Sequence, residues 1–384
     1  MKKFANLYLG LVFLVLYLPI FYLIGYAFNA GDDMNSFTGF SWTHFETMFG
    51  DGRLMLILAQ TFFLAFLSAL IATIIGTFGA IYIYQSRKKY QEAFLSLNNI
   101  LMVAPDVMIG ASFLILFTQL KFSLGFLTVL SSHVAFSIPI VVLIFGQSFF
   151  NIEGQFSLEN YKSYFASQNL TYLKMSFNSV LYAGIVTFVT LLISYPTALF
   201  LTRLKHRQLW LMLIILPTWI NLLLKAYAFI GIFGQNGSIN QFLEFIGIGS
   251  QQLLFTDFSF IFVASYIELP FMILPIFNVL DDMDNNLINA SYDLGATKWE
   301  TFRHVIFPLS MNGVRSGVQS VFIPSLSLFM LTRLIGGNRV ITLGTAIEQN
   351  FLTNDNYGMG STIGVILILT MFITMWVTKE RRER

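Results

Sequence analysis

The sequence has no cysteine. That excludes disulfides, thiolate nucleophiles and Cys-ligated metal. Charge is scarce, at 11% of 384 residues. The histidines, His44, His133, His206 and His304, are too scattered to offer paired metal-ligand spacing. No Gly-x-x-x-x-Gly-Lys-Ser/Thr phosphate loop is present, and Gly295-Ala296-Thr297-Lys298 does not make one. His-Glu-x-x-His, a Ser/His/Asp order and Gly-x-Gly-x-x-Gly before a helix are missing as well. The expectation is a chain that is not an enzyme, with no catalytic residue, no metal and no cofactor. Net charge is +2, and the one dense charge run, Lys379 to Arg384, has mixed sign. A nucleic-acid partner is therefore not expected.

What the chain has is apolar length. It is 56% hydrophobic with 42 phenylalanines, and its mean hydropathy is +0.70. This is the composition of an all-α polytopic transmembrane bundle in a lipid bilayer. Nine stretches are long enough to span: 7–28, 56–84, 99–119, 126–150, 174–202, 208–233, 258–280, 314–335 and 361–378. The eighth is the weakest, with Arg315 and Arg333 near its ends. The first has no small-residue exit site and reads as a retained span, not a cleaved signal. The loop at 29–54 carries Asp32, Asp33, Glu46 and Asp51, which suits an outer face. Lys2, Lys3, Arg87-Lys88-Lys89, Arg203-Lys205-Arg207, Lys298, Arg303 and the C-terminal tail belong inside by the positive-inside rule. The expected location is the cell membrane, with multiple passes.

A parallel repeat runs through the chain. Phe40-Ser41-Trp42 opens a span ending at Arg87-Lys88-Lys89, followed by an apolar segment with Pro105. Phe156-Ser157-Leu158 opens a span ending at Arg203-Leu204-Lys205, followed by an apolar segment with Pro217. Two basic clusters on one side require an even number of spans between them, yet three candidates lie there: 99–119, 126–150 and 174–202. Either one candidate does not cross, or one cluster lies on the other side, or the unit is not natively assembled; the preferred expectation is a two-part chain, with residues 1–143 a truncated unit and 144–384 a nearly complete one.

The most informative stretch is a polar island between apolar segments, residues 286–308. Ala290, Ser291, Leu294 and Phe302 are expected to line the packing face of one short helix, Gly295 to turn it, and Pro308 to stop it. Asn289-Ala290-Ser291, three residues, Gly295, nine residues and Val305-Ile306-Phe307-Pro308 follow in register. This resembles the cytoplasmic loop of the permeases of ATP-binding-cassette importers, patterned Glu-Ala-Ala, three residues, Gly, nine residues, Ile-x-Leu-Pro. Ala290, Gly295 and Pro308 match, as does the Asp293-Leu294-Gly295-Ala296 core. Asn289, Ser291, Val305 and Phe307 depart from the pattern, and Asn289 replaces an acid. The resemblance implies a type I importer permease fold and a coupling helix seated in a separate ATPase. It also implies partnership with cytoplasmic ATPase subunits, a second permease, and an extracellular or periplasmic substrate-binding protein. Within that family the chain is similar to the spermidine/putrescine permeases. Residues 1–143, with Leu18-Pro19-Ile20 and Ala104-Pro105-Asp106-Val107, resemble the C-type. Residues 139–384, with Leu216-Pro217-Thr218-Trp219, Tyr227-Ala228, Val321-Phe322-Ile323-Pro324 and Gly336-Gly337, resemble the B-type.

A polyamine needs carboxylates for its ammoniums and aromatic faces for its stem. Ionisable groups inside spans are functional candidates. Asp106 and Glu268 supply acid; Trp219, Tyr227 and Tyr266 supply aromatic faces. Each has a plainer reading: Asp106 as the cap of a helix broken at Pro105, Glu268 as the partner of Lys225, the aromatics as packing or interface anchors. Two rival functions stand beside the permease: a recombined chain that inserts without transporting, and an ion-gradient-driven secondary transporter. Transporters of the second kind commonly carry inverted repeats, whereas the repeat here is parallel, and the coupling-loop spacing has no role in their mechanism.

Overall fold

A computed structural model describes residues 2–31, 34, 37–88, 110, 113–114, 116–118, 120–134, 147–151, 153, 155–166, 170–337 and 339–378. Among these the chain is helical, with no strand beyond isolated bridging such as that of Phe150 with Phe156. It forms two compact units. Unit 1 comprises Met1–Gly39, Phe177–Thr342 and Phe372–Arg384; unit 2 comprises Phe40–Ser176 and Leu343–Met371.

Unit 1 opens with α1 (Lys2–Ala27). Its apolar character runs all round, but only a narrow stripe, Leu9, Val12, Leu16 and Pro19, is buried among the described residues. Leu7, Leu11, Leu14 and Phe21 face outward, as expected of a helix whose other faces meet lipid. Because lipid tails are as apolar as the helix itself, no hydrophobic force drives it onto its neighbours, and close packing with specific hydrogen bonds holds it instead. Tyr8 Oη donates to the Ile193 carbonyl at 2.7 Å, Tyr17 Oη to Leu213 at 2.8 Å, and Tyr266 Oη to Leu16 at 3.0 Å. Each contributes on the order of 0.6 kcal/mol in a membrane protein.

The long helix α6 (Thr171–Leu201) and α10 (Asp257–Asp281) carry the core of unit 1. Thr256 starts α10 with a reciprocal cap: Ser259 N–H donates to Thr256 Oγ1 at 3.2 Å, and Thr256 N–H to Ser259 Oγ at 3.2 Å. Between these two, the expected span 208–233 is broken. The helix α7 (Arg207–Ile215) passes into a tight turn, Leu216–Trp219, with Pro217 in its first positions. Ile220 is extended, and Asn221 restarts the helix by accepting from Leu223 N–H at 2.8 Å. The next helix, α8 (Leu222–Phe233), leads to α9 (Ser238–Phe245), and the two halves of the segment are bent by 89°. The expected span 314–335 is also broken. Pro324 and Ser325 close α14 (Met311–Ser325), Leu328 departs from helix, and α15 (Phe329–Leu334) is only 6 residues.

What joins α10 to α14 is glycine spacing. A Cβ on Gly313 would lie 2.8 Å from the Pro275 carbonyl oxygen, and one on Gly317 would lie 2.6 Å from Met272 Sδ. Two small residues four apart let the backbones approach closely.

Unit 2 contains α2 (Thr43–Gly50), α3 (Gly52–Gln85), α4 (Phe126–Val134), α5 (Glu159–Ala166), α16 (Leu343–Leu352) and most of α17 (Tyr357–Thr378). Asp51 caps α3 by accepting from Arg53 N–H at 2.8 Å. The rings of Phe63 and Phe126 stack at 6.0 Å and join α3 to α4. Asn160 Nδ2 donates to the Phe150 carbonyl at 2.8 Å, and Thr362 Oγ1 to that of Ser148 at 3.2 Å, so α5 and α17 are tied to one loop. Gly358 has to be glycine there, because a Cβ would fall on the Phe150 carbonyl oxygen.

Among the described residues five helices are long and apolar enough to cross a membrane: Lys3–Ala27, Gly52–Gln85, Thr171–Leu201, Asp257–Asp281 and Tyr357–Met375. They correspond to five of the nine expected spans. The span expected at 99–119 lies largely outside the described residues; of that expected at 126–150, residues 126–134 and 147–150 are described and 135–146 are not.

Candidate functional site

The polar island is built as two short helices rather than the expected one. Asp284 caps α11 (Asn285–Asp293), accepting from Asn286 N–H at 2.9 Å. The helix ends at Gly295, whose φ is +83°. Gly295 N–H donates to the Tyr292 carbonyl at 2.9 Å and Ala296 N–H to that of Ser291 at 3.1 Å. This is the paired C-terminal closure that favours glycine in the left-handed region.

Two residues later Thr297 opens α12 (Lys298–Thr301). Thr297 N–H donates to Glu300 Oε2 at 2.7 Å, and Glu300 N–H to Thr297 Oγ1 at 3.3 Å. The Thr297 backbone bond, then its hydroxyl, holds the Glu300 carboxyl below its ordinary value of 4.5. A depressed carboxylate contributes stability above its unfolded value and loses it as pH falls through the folded one. Amide exchange at Thr297, corrected for intrinsic rate, is therefore expected to quicken between pH 6 and pH 3. Unchanged protection across that range would show that the carboxylate does not hold the cap.

From α12 the chain passes through a wide turn, Phe302–Ile306, into α13 (Phe307–Leu309) and on toward α14. Pro308 therefore does not stop the helix, as had been expected. It lies in the first turn after the wide one, where a missing N–H is tolerated. The expected packing face also needs correction. Leu294 is 89% exposed and Ala290 is exposed too, whereas Ser291 and Phe302 are partly buried. Asn289, Asp293 and Gly295 share the exposed side, and Ala296 is intermediate.

Sequence reasoning placed Ser291 and Phe302 on a packing face but missed the partners that hold the stretch, Thr301, Tyr195 and Ser310. Ser291 Oγ and Thr301 Oγ1 lie 3.0 Å apart and link α11 to α12. Tyr195 of α6 reaches Ser310 Oγ at 2.7 Å, and its ring meets Phe302 and Phe307 edge-on or tilted at 6.0 and 5.8 Å. With α10 and α14 clasped through Gly313 and Gly317, the stretch is fixed at both ends. Only the glycine pair left a signal in the sequence, as small residues at four-residue spacing.

The other candidates are dispersed. Glu268 on α10 and Lys225 on α8 are 4% and 5% exposed. No ion pair of 4 Å or less joins them among the described residues, though each acts on the other's charge. Tyr266 is buried, bonded to α1, and packs against Phe229 at 4.9 Å. Trp219 is 75% exposed at the 89° break, and Tyr227 is 48% exposed. Asp106 lies outside the described residues.

Residues 166–379 match the family described as the binding-protein-dependent transport system inner membrane component. The chain belongs to that family. It is 35% identical to the spermidine/putrescine transport system permease protein PotB of Haemophilus influenzae over 225 residues, covering 58% of this chain and 78% of that protein. It is 34% identical to PotC of the same system and organism over 138 residues, covering 36% of this chain and 54% of that protein. In fold it is similar to the crystal structure of a bacterial ABC transporter involved in the import of the acidic polysaccharide alginate. There the TM-score is 0.54 at 14% identity, over 63% of this chain and 88% of that one. This inner membrane component is thus a multi-pass permease of the ATP-binding-cassette importer class, with the type I fold.

Proposed function

We propose that this permease carries polyamine cations of the spermidine/putrescine kind, driven by a separate ATPase that docks on residues 286–308. The 35% identity to PotB over 225 residues carries this reading. Three features support it. The break at 216–221 puts a 3-10 turn ending at Trp219, then non-helical backbone at 220–221, within a segment apolar enough to span, and such backbone is tolerated where it lines a cavity. Glu268 offers a carboxylate inside a span, and Tyr227 an accessible aromatic face. The exposed side of α11, with Leu294 at its end, has the form of a docking edge; Asn289, Ala290, Ser291, Asp293, Gly295, Ala296 and Pro308 complete that loop.

The proposal includes an external binding protein that delivers substrate and a second permease that completes the pathway. It also keeps the two-part organisation, 1–143 partial and 144–384 nearly complete. Its support is that the family match starts at residue 166 and that PotB and PotC are both relatives. Asp106 and Tyr266 join Glu268, Trp219 and Tyr227 as proposed pathway residues.

The test is uptake of labelled spermidine into vesicles that hold this chain with its ATPase, partner permease and binding protein. Uptake is expected to require ATP. Glu268→Gln is expected to lower it at least about tenfold, the cost of about 1.4 kcal/mol in the transition state, while the complex still assembles. Undiminished uptake with Glu268→Gln removes that residue from the pathway. If spermidine is not taken up but the ATPase binds, the polyamine assignment fails. If the ATPase does not co-purify, the chain is a non-transporting product.

A further inference from the structure

Behind the polar stretch, and partly walled by it, lies a cavity of about 670 Å3. Its wall is apolar where α6, α10 and α11 supply Phe200, Leu280 and Ile288. Its polar lining includes three cations, Arg203, Arg207 and Lys298, against a single acid, Asp281. Arg207 Nε is 2.8 Å from Asp281 Oδ1, so that acid is already matched. The approach is off the hydrogen-bond direction, and Oδ1 accepts no directed bond. Arg203 and Lys298 have no acid within 4 Å among the described residues.

The place of the cavity narrows its ligand. Two helices apolar enough to span, α6 and α10, end at Leu201 and Asp281, beside it. It therefore lies at the level of lipid headgroups rather than in the hydrocarbon. A polyamine would be repelled by two unmatched cations. A small soluble phosphate would satisfy those cations and leave the apolar wall wet. A ligand with an anionic phosphate and an adjoining apolar body satisfies both. Basic pockets between spans on the cytoplasmic side are suited to such headgroups.

We propose that this cavity holds the headgroup of an acidic phospholipid, its phosphate between Arg203 and Lys298 and its glycerol and upper acyl carbons against Phe200, Leu280 and Ile288. Such a lipid bridges α6 to α12 and so tethers the polar stretch to the spans. The assignment does not depend on the transported substrate. The side of the membrane on which the stretch lies decides only which leaflet supplies the lipid.

The test is native mass spectrometry of the full chain in detergent, titrated with phosphatidylglycerol or phosphatidylcholine. Phosphatidylglycerol is expected to bind at least about tenfold more tightly. The double variant Arg203→Gln/Lys298→Gln is expected to erase that preference, and Arg203→Lys/Lys298→Arg to keep it. Lys205→Gln, which changes a nearby cation outside the cavity lining, is expected to keep it as well. An undiminished preference in the double Gln variant overturns the proposal. A second measurement uses the unaltered chain and so does not depend on any variant folding: amine-reactive labelling of Lys298. Protection by phosphatidylglycerol supports the site. Protection by millimolar inorganic phosphate, but not by phosphatidylglycerol, assigns the cations to a soluble phosphate and overturns the lipid.

Discussion

Leu294→Asp is expected to abolish ATP-driven uptake while leaving the chain folded. Leu294 is 89% exposed and ends α11 just before the Gly295 turn, so nothing within the chain depends on its side chain. If it seats in a cleft of the ATPase, its burial is worth about 1.5–3 kcal/mol, and a carboxylate in its place adds a desolvation cost. Loss of that contact alone weakens docking roughly 10- to 100-fold. Co-purification of the ATPase and its stimulation by substrate would read the effect, with thermal unfolding of the permease as the control. Undiminished docking would show that the exposed apolar end of α11 is not the contact.

The second large effect is expected from Gly313→Leu. A Cβ at Gly313 meets the Pro275 carbonyl oxygen at 2.8 Å, the α carbon of Ile276 at 3.0 Å and Val279 Cβ at 3.1 Å. Two of those three atoms are backbone, so no side-chain rotation relieves the contact and α14 has to move away from α10. Overpacking of this kind costs about 1–3 kcal/mol even where side chains can adjust, and the upper end or beyond is expected here. Because α10 and α14 flank the polar stretch, docking should fail along with stability. The thermal midpoint of the purified chain checks the first part and ATPase co-purification the second. Gly184→Ala is the matched control, since a Cβ there meets nothing within 4 Å. A Gly313→Leu chain as stable as the Gly184→Ala chain would mean that α10 and α14 are not held by close backbone approach.

The sequence shows the unbroken helices well and the broken ones poorly. The helices α1, α3, α6, α10 and α17 are long apolar runs, and apolar length is a direct requirement of the bilayer. The segment at 208–233 is as apolar, and that at 314–335 is apolar enough to read as a span despite Arg315 and Arg333, so the same criterion passes over their breaks. The signals were present in single residues: Pro217 followed by Asn221 is a helix stop and a helix cap, and Pro324 precedes the second break. In the polar stretch the Gly295 turn follows from the sequence, because a left-handed closure selects glycine. The exposure of Leu294 does not follow, because apolarity marks burial without saying in what. Tyr195 gave no sign either: a tyrosine in a span reads as packing until a partner such as Ser310 is brought to 2.7 Å.

Coupling requires residues 286–308 to face the compartment holding the ATPase. The chain has no cysteine, so Leu294→Cys introduces a single, exposed thiol. It can be labelled with a membrane-impermeant reagent in intact cells and again after permeabilisation. Protection is expected in intact cells, and full labelling once the membrane is opened. Labelling in intact cells would place the stretch outside, where no ATPase can reach it, and would contradict the coupling role whatever family the chain belongs to.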